Sequence, residues 1–545
     1  MRGSVGGRPP SSADLVSLKH KATGAVARLA LVGVPAAFLG LFFVYPLVTI
    51  LRRGLGGSLP TDVLFDRGTL RIVWFTVWQA AASTALTLAV GMPLAWATAR
   101  VAFRGRGLVR ALVVVPFVLP TVVVATAFLA LLPESMQRGI VPILLAHVFF
   151  NVAVVVRVVG GYWARLDPTL WDAAATLGAS PSRRFRELTL PALRPALAAA
   201  SALTFLFCFT SFGVIVILGG PRFATLEVDI YDLATQAFDL RAAAALSLLQ
   251  LVAVAAIVAV SSSLETRAGV RLPIAVEQIS ARRPRGWERH ALATILALAA
   301  FGFGLPLAAL VERSFATPNG AGLAFYRALG RETPTLLVAP WRAVEYSLAY
   351  AAAATAIALT VGALAAAALA RRRSGRWLDT AVMLPLGASA VMLGYGFVIA
   401  FDTPPLDFRD AVWIVPVVQA LVAAPFVVRI VAPALRGIDP RLREAAAVLG
   451  APPARVRREI DLPLVLRPLG VAAGLAFAIA LGEFGATVFL ARSDRPTFPV
   501  AIFRFHERPG ATNQGTAAAL CVVLMTVTVV AVGIADRLTS RRGAF

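Results

Sequence analysis

Glu444-Ala445-Ala446-Ala447-Val448-Leu449-Gly450, followed thirteen residues later by Pro463 in Ile460-Asp461-Leu462-Pro463, is the stretch that decides the fold. It has a second copy. Asp172-Ala173-Ala174-Ala175-Thr176-Leu177-Gly178 precedes Pro191, in Leu188-Thr189-Leu190-Pro191, by the same spacing. The two glycines stand 272 residues apart in a chain of 545. Each copy is a polar, arginine-bearing loop between long apolar segments, and reads as a docking loop on the cytoplasmic face of a membrane protein.

The segments on either side set the class. The chain is 58 % hydrophobic and 15 % charged, where a soluble domain carries about 25 % charged residues. Its apolar runs reach roughly twenty residues or more, enough to cross about 30 Å of hydrocarbon as helices. Backbone groups in lipid must be satisfied within the segment, so an all-α integral membrane bundle follows. Spans are expected near 29–50, 72–99, 109–133, 140–163, 197–219 and 242–263, then 290–311, 343–370, 379–401, 412–435, 469–490 and 515–536. The run at 29–50 lacks a small-residue cleavage site and reads as a retained first helix. The organisation is a tail 1–27, a first half 28–265 with its docking loop at 165–196, and a linker 266–288. A second half 289–538 follows, with its docking loop at 436–467, and a tail 539–545.

The halves are repeats. At the constant offset of 272, Arg157 maps to Arg429, Asp167-Pro168 to Asp439-Pro440, Phe212-Gly213 to Phe484-Gly485, Thr225 to Thr497, Val228 to Val500, and Ile230-Tyr231 to Ile502-Phe503. Two parallel six-helix halves about a central axis would build a path between them.

Charge orients the bundle. The net charge of +23 comes from arginines in short loops between apolar blocks, a positive-inside pattern rather than a nucleic-acid-binding surface. Arg100, Arg104, Arg106 and Arg110 fill one loop, and Arg371, Arg372, Arg373 and Arg376 its counterpart. With an even helix count these loops, the linker arginines and both termini share the cytoplasmic side of a bacterial inner membrane. Arg52, Arg53, Arg67 and Arg71 fall on the other side. The only lysines are Lys19 and Lys21, so the chain has no Gly-x-x-x-x-Gly-Lys phosphate loop, and any ATP hydrolysis belongs to another subunit. His20, His147, His290 and His506 show no metal-ligand spacing, and Cys208 and Cys521 lie singly in apolar runs. No catalytic dyad, triad or metal constellation appears. The chain reads as a non-enzyme without a cofactor of its own.

Within each loop, Pro168 and Pro440 precede Ala-rich stretches of high helix propensity. Gly178 and Gly450 close them, where glycine can take positive φ or let a partner approach. Pro181 and Pro452-Pro453 then turn the chain into a second amphipathic stretch that runs to Pro191 or Pro463. The plainer alternative is a surface loop whose arginines meet lipid phosphates.

Glu-Ala-Ala, three residues, Gly, then Ile-x-Leu-Pro resembles the signature of the permease subunits of ABC importers. Glu444, Ala445, Ala446, Gly450 and Pro463 match it fully, while the first copy, Asp172, Ala173, Ala174, Gly178 and Pro191, departs at Asp172 and Leu188. The resemblance implies two copies of a cytoplasmic ABC ATPase, one seated on each loop and binding the ATP and Mg²⁺. It also implies an extracytoplasmic substrate-binding protein, contacted by the loops 220–240 and 491–514. Ile143-Leu144-Leu145-Ala146-His147-Val148-Phe149-Phe150-Asn151, Cys208-Phe209-Thr210-Ser211-Phe212-Gly213 and Leu481-Gly482-Glu483-Phe484-Gly485 are similar to fused permeases for thiamine, with ferric-iron permeases as close relatives.

Candidate path residues are His147, Asn151, Ser211 and Glu483. An ionisable group within a membrane usually faces a cavity or a partner. Glu483, in the position of Ser211, therefore reads either as a pore carboxylate or as the partner of Arg429 or Arg157. Those two arginines would snorkel or anchor the docking loops. His147 and Asn151, one turn apart on one helix face, either line the path or bond neighbouring helices. An ion-coupled secondary transporter is the rival class, and would need several mid-membrane carboxylates.

Overall fold

The computed structural model describes residues 29–56, 60–167, 169–268, 282–318, 320–370, 376–408 and 410–540. The tail 1–27, most of the linker 266–288, Pro168, Arg371 to Arg373, Arg541 and Arg542 lie outside the described residues. Ten helices among the described residues are long and apolar enough to cross a membrane, and two bent helix pairs bring the number to twelve.

In the first half these are α1 Leu31–Leu55, α2 Arg67–Arg100, the bent pair α3 Arg106–Val118 and α4 Thr121–Leu131, and α5 Ile140–Trp163. The loop helix α6 Thr169–Thr176, the span α7 Pro181–Phe209, the short α8 Gly213–Leu218 and α9 Leu226–Thr235, and the span α10 Leu240–Val260 complete it. The second half repeats the order with α11 Trp287–Phe315, α12 Pro340–Ala370, the bent pair α13 Trp377–Gly387 and α14 Ala390–Ala400, and α15 Ile414–Arg436. It ends with the loop helix α16 Pro440–Val448, the span α17 Ala454–Gly482, the short α18 Thr487–Leu490 and α19 Phe498–His506, and the span α20 Ala511–Ile534. A two-residue antiparallel ladder, β1 Ala316–Thr317 with β2 Gly320–Ala321 and Thr317 opposite Gly320, turns the chain after α11.

Two expectations are corrected. The third span of each half is not a straight helix over 109–133 or 379–401, because the paired helices bend by 102° and 99°. Pro120 forces Leu119 out of the helical region (φ −66°, ψ 140°). In the second half Ser389 is extended (φ −65°, ψ 139°), and its hydroxyl accepts the backbone N–H of Met392, capping α14. The fifth spans also end early, at Phe209 and Gly482 rather than 219 and 490, and each chain turns back through a Phe-Gly pair. A Cβ on Gly213 would strike the Thr121 side chain, and one on Gly485 would lie 2.9 Å from the Cβ of Ala390. Glycine is needed there so that the turn can sit on the break of the third span.

Small residues also set the main crossing. Spans α2 and α5 pack along each other, as do α12 and α15. A Cβ on Gly91 would lie 2.7 Å from that of Val155, and one on Gly362 2.7 Å from that of Val427. Close backbone approach of this kind supplies the van der Waals contact that holds membrane helices together. The first spans exchange sides: α1 packs on α12 and α14 of the second half, and α11 on α4 of the first. Phe42 of α1 lies 6.2 Å from Phe397 and 6.1 Å from Phe401. Each half is embraced by the other's first helix.

Candidate docking loops and translocation path

Both loops are helical hairpins built by the same local chemistry. The Asp167 carboxylate accepts the N–H of Thr169 at 2.9 Å and that of Asp439 accepts the N–H of Arg441 at 2.9 Å, so each caps its loop helix. The Thr169 backbone and hydroxyl bonds hold Asp167 below the ordinary carboxylate range. At the far end Gly178 has φ +78° and Gly450 φ +77°. The N–H groups of Gly178 and Ala179 bond the carbonyls of Ala175 and Ala174, and those of Gly450 and Ala451 bond Ala447 and Ala446. This is the Schellman arrangement, and it requires the left-handed residue. Nothing lies within 4 Å of a Cβ built at either position. Conformation, not crowding inside the chain, demands glycine here.

What the cap presents is apolar. Leu177 is 87 % exposed, Val448 87 % and Leu449 86 %. Asp172 and Ala173 of the first loop and Glu444 and Ala445 of the second are exposed too, while Ala174 and Ala446 are half-buried.

The second arm of each hairpin is not a separate stretch ending at Pro191 or Pro463, as the sequence led us to expect. It is one helix with the span, Pro181–Phe209 and Ala454–Gly482. A π-helical turn, Phe185–Thr189 and Arg457–Asp461, stands just before each Leu-Pro. Proline lacks an N–H and its ring collides with the carbonyl four residues back. The wider turn takes up that misfit, so the helix continues. At about 1.5 Å per residue each of these helices is a rod of roughly 43 Å from loop to far end.

A cross-hairpin staple holds the two arms, with different chemistry in each copy. Trp171 Nε1 donates to Thr189 Oγ1 at 2.7 Å, and Arg443 Nε donates to Asp461 Oδ1 at 2.8 Å. Trp171 corresponds to Arg443 and Thr189 to Asp461 at the 272 offset. The Arg100 guanidinium lies 5.6 Å from the Trp171 ring centroid and donates to the Leu166 carbonyl at 3.2 Å. Trp171→Arg alone therefore sets two guanidiniums together and should destabilise the loop. Adding Thr189→Asp should restore it, with a coupling of about 1 kcal/mol in a double-mutant cycle read by thermal unfolding of the purified protein. Additive losses would show that the staple does not form.

The candidate path residues are all buried. His147 shares one bond with Ser83 at 2.9 Å and another with Ser211 at 2.9 Å, and Asn151 Nδ2 donates to the His147 carbonyl at 3.0 Å and lies 3.4 Å from Cys208 Sγ. These partners belong to α2, α5, the end of α7 and the turn just after it, within the first half. His147 and Asn151 thus bond neighbouring helices, and His147 and Ser211 are 2 % and 8 % exposed. Gln419 occupies the place of His147 in the second half. Glu483 is not inside the eleventh span: α17 stops at Gly482, and Glu483 is extended (φ −66°, ψ 125°). Its carboxylate accepts the N–H groups of Ala486 at 2.8 Å and Thr487 at 3.0 Å, capping α18. Its bonds are to backbone, not to Arg429 or Arg157; Arg429 Nε instead meets the Met383 sulfur at 3.4 Å.

The junction between the halves is closed by a feature the sequence reading did not assemble. Phe212 and Phe484 stack with centroids 5.2 Å apart. Phe212 meets Tyr231 at 5.4 Å, Phe484 meets Phe503 at 5.3 Å, and Tyr231 meets Phe503 at 6.2 Å. The 272 offset exchanges Phe212 with Phe484 and Tyr231 with Phe503, so the repeat axis runs through this cluster. It lies beyond the ends of α7 and α17, at the opposite end of those helices from the docking loops. All four side chains are buried. The signal was present in the paired Phe-Gly and Ile-Tyr/Ile-Phe matches, but nothing in one dimension tells that they face each other.

Residues 87–267 and 358–543 each match the family described as binding-protein-dependent transport system inner membrane component. The chain belongs to this family, the membrane-spanning permeases of ABC transport systems. It is therefore a transport subunit and not an ion-coupled secondary transporter. It is 30 % identical to the thiamine transport system permease protein ThiP of Brucella abortus (strain 2308), over 94 % of this chain and 96 % of that one. It is 27 % identical to ThiP of Escherichia coli (strain K12), over 84 % and 88 %. It is also 27 % identical to the probable ABC transporter permease protein y4fN of Sinorhizobium fredii (strain NBRC 101917 / NGR234), over 92 % and 94 %.

Proposed function

We propose that this chain forms the translocation path of a thiamine importer, driven by two cytoplasmic ATPase subunits and loaded by an extracytoplasmic binding protein. The observation that carries the solute is the 30 % identity to a thiamine permease along 94 % of the chain, both halves included. The arginine-rich loops support a cytoplasmic side for the docking hairpins and both termini. ATP and Mg²⁺ then belong to the partner, and Leu177, Val448 and Leu449, bare at the hairpin tips, are the apolar contacts it would cover.

The geometry suggests how closure of the ATPase pair reaches the solute path. Movement of α6 and α16 is passed through the unbroken α7 and α17 to Phe212 and Phe484 at their far ends. On this reading the aromatic cluster is the closed outer gate of the path, a role supported by the burial of its four rings where the halves meet. Nucleotide-driven closure would part the two phenylalanines and open the path to the binding protein.

The test is uptake of labelled thiamine and of labelled ferric iron by a strain lacking the chain, with and without complementation. Thiamine uptake should follow the chain. Iron uptake alone would keep the permease and replace its solute, and dependence of neither would overturn the assignment.

A further inference from the structure

Outside the loops and the aromatic cluster, one buried carboxyl joins the two halves. Glu227 lies in the first turn of α9 and is 1 % exposed. Its Oε1 accepts Gln250 Nε2 of α10 at 2.5 Å, and its Oε2 accepts the Ser389 hydroxyl at 2.5 Å. Ser389 belongs to the other half. It occupies the 99° break between α13 and α14, where its hydroxyl also caps α14. Close by, the Tyr395 hydroxyl of α14 donates to the Leu240 carbonyl of α10 at 2.5 Å. The α9 N-terminus is tied to α2 as well, through the Leu226 N–H and Thr76 Oγ1 at 3.1 Å. The outer helix of one half is thus fastened to the bend of the other's third span.

Packing alone does not call for a carboxyl at this place. At the repeat-equivalent position the second half has Pro499, fully apolar, on the same kind of short helix. Burying a carboxyl without its bonds is costly, so Glu227 is held only while Ser389 and Gln250 face it. A group that is comfortable in one arrangement of the halves and orphaned in another biases a two-state element.

We propose that Glu227 is a latch, a positioning residue through which α9 holds the bend of the second half's third span and keeps the outer end closed until the halves part. The inference rests on the importer reading. Its test is ATP hydrolysis by the chain purified with its ATPase, without binding protein. Ser389→Ala and Glu227→Ala should each raise that basal rate by about threefold to tenfold, the population shift expected from losing a hydrogen bond of ordinary strength. The double variant should do no more than either alone, and Glu227→Gln, which keeps an acceptor oxygen for Ser389, should stay near wild type. A purely structural role would lower the yield of assembled complex while leaving the hydrolysis rate per complex unchanged, and that result overturns the latch. A wild-type chain that purifies without any ATPase overturns the importer reading, and the latch with it.

Discussion

Gly450→Val is expected to abolish solute uptake and to strip the ATPase from the purified chain. Gly450 holds φ +77°, and a side chain in the left-handed region costs about 1–2 kcal/mol, more for a β-branched one. Each 1.4 kcal/mol lowers the population of the capped hairpin about tenfold. Leaving the left-handed region also breaks the bonds from Gly450 and Ala451 to Ala447 and Ala446, so Val448 and Leu449 turn away from where they now stand. The substitution meets nothing inside the chain, so the fold should survive and the protein should reach the membrane in normal amounts. Gly178→Val has the same backbone strain, at φ +78°, but acts on the loop in which Asp172 replaces the signature glutamate. We expect the smaller loss there. Gly105→Val is the control: φ +86° with open surroundings in a neighbouring loop. It should keep the ATPase.

The second large effect is on folding. Gly362→Leu should leave almost no monodisperse protein after solubilisation. The first side-chain carbon would already lie 2.7 Å from Val427 and 3.2 Å from the Ala424 carbonyl, and neither α12 nor α15 can move without losing its other neighbours. Overpacking a fitted interior costs about 1–3 kcal/mol, occasionally more. Gly91→Leu meets Val155 in the same way in the first half. Gly362→Ala paired with Val427→Gly should recover protein that Gly362→Ala alone loses, because glycine removes both the Cβ and the Cγ1 that the new methyl would meet at 2.7 Å. Size-exclusion profiles of the four variants decide it, and a Gly362→Leu profile like wild type would contradict the crossing.

How legible this was depends on the range of the interaction. Spans of twenty apolar residues are read from composition because lipid leaves the backbone no other choice. The repeat, and with it the paired hairpins, is read from spacing. The Asp167 and Asp439 caps and the left-handed glycines are local, so residue type and order suffice to expect them. Breaks at Leu119 and Ser389 were missed because hydropathy runs unbroken through them, though Pro120 was a usable sign. The early ends at Phe209 and Gly482 were missed for the same reason. Glu483 looked like an intramembrane carboxylate, lining a path or paired with an arginine, because its helix was carried a few residues too far. Once the helix stops, two backbone N–H groups come within 2.8 and 3.0 Å of its carboxylate. Contacts across the halves, such as Phe212 with Phe484, Glu227 with Ser389 and Thr126 with His506 at 2.8 Å, join residues 162 to 380 positions apart and leave no local trace.

The claim on which the rest depends is that the two hairpin tips seat an ATPase, and cross-linking tests it most directly. Cys208 and Cys521 are free and buried, and would be replaced by serine to give a background without native thiols. Leu177→Cys and Leu449→Cys, each in membranes that also contain the ATPase, are then coupled through the new thiol to a short photoactivatable cross-linker, which on illumination inserts into whatever protein lies against it. Both tips should capture an ATPase subunit, and the chain carrying both cysteines should capture two. If neither tip yields a cross-linked ATPase while uptake by the same cells is intact, the hairpins are not docking loops and the account of coupling fails.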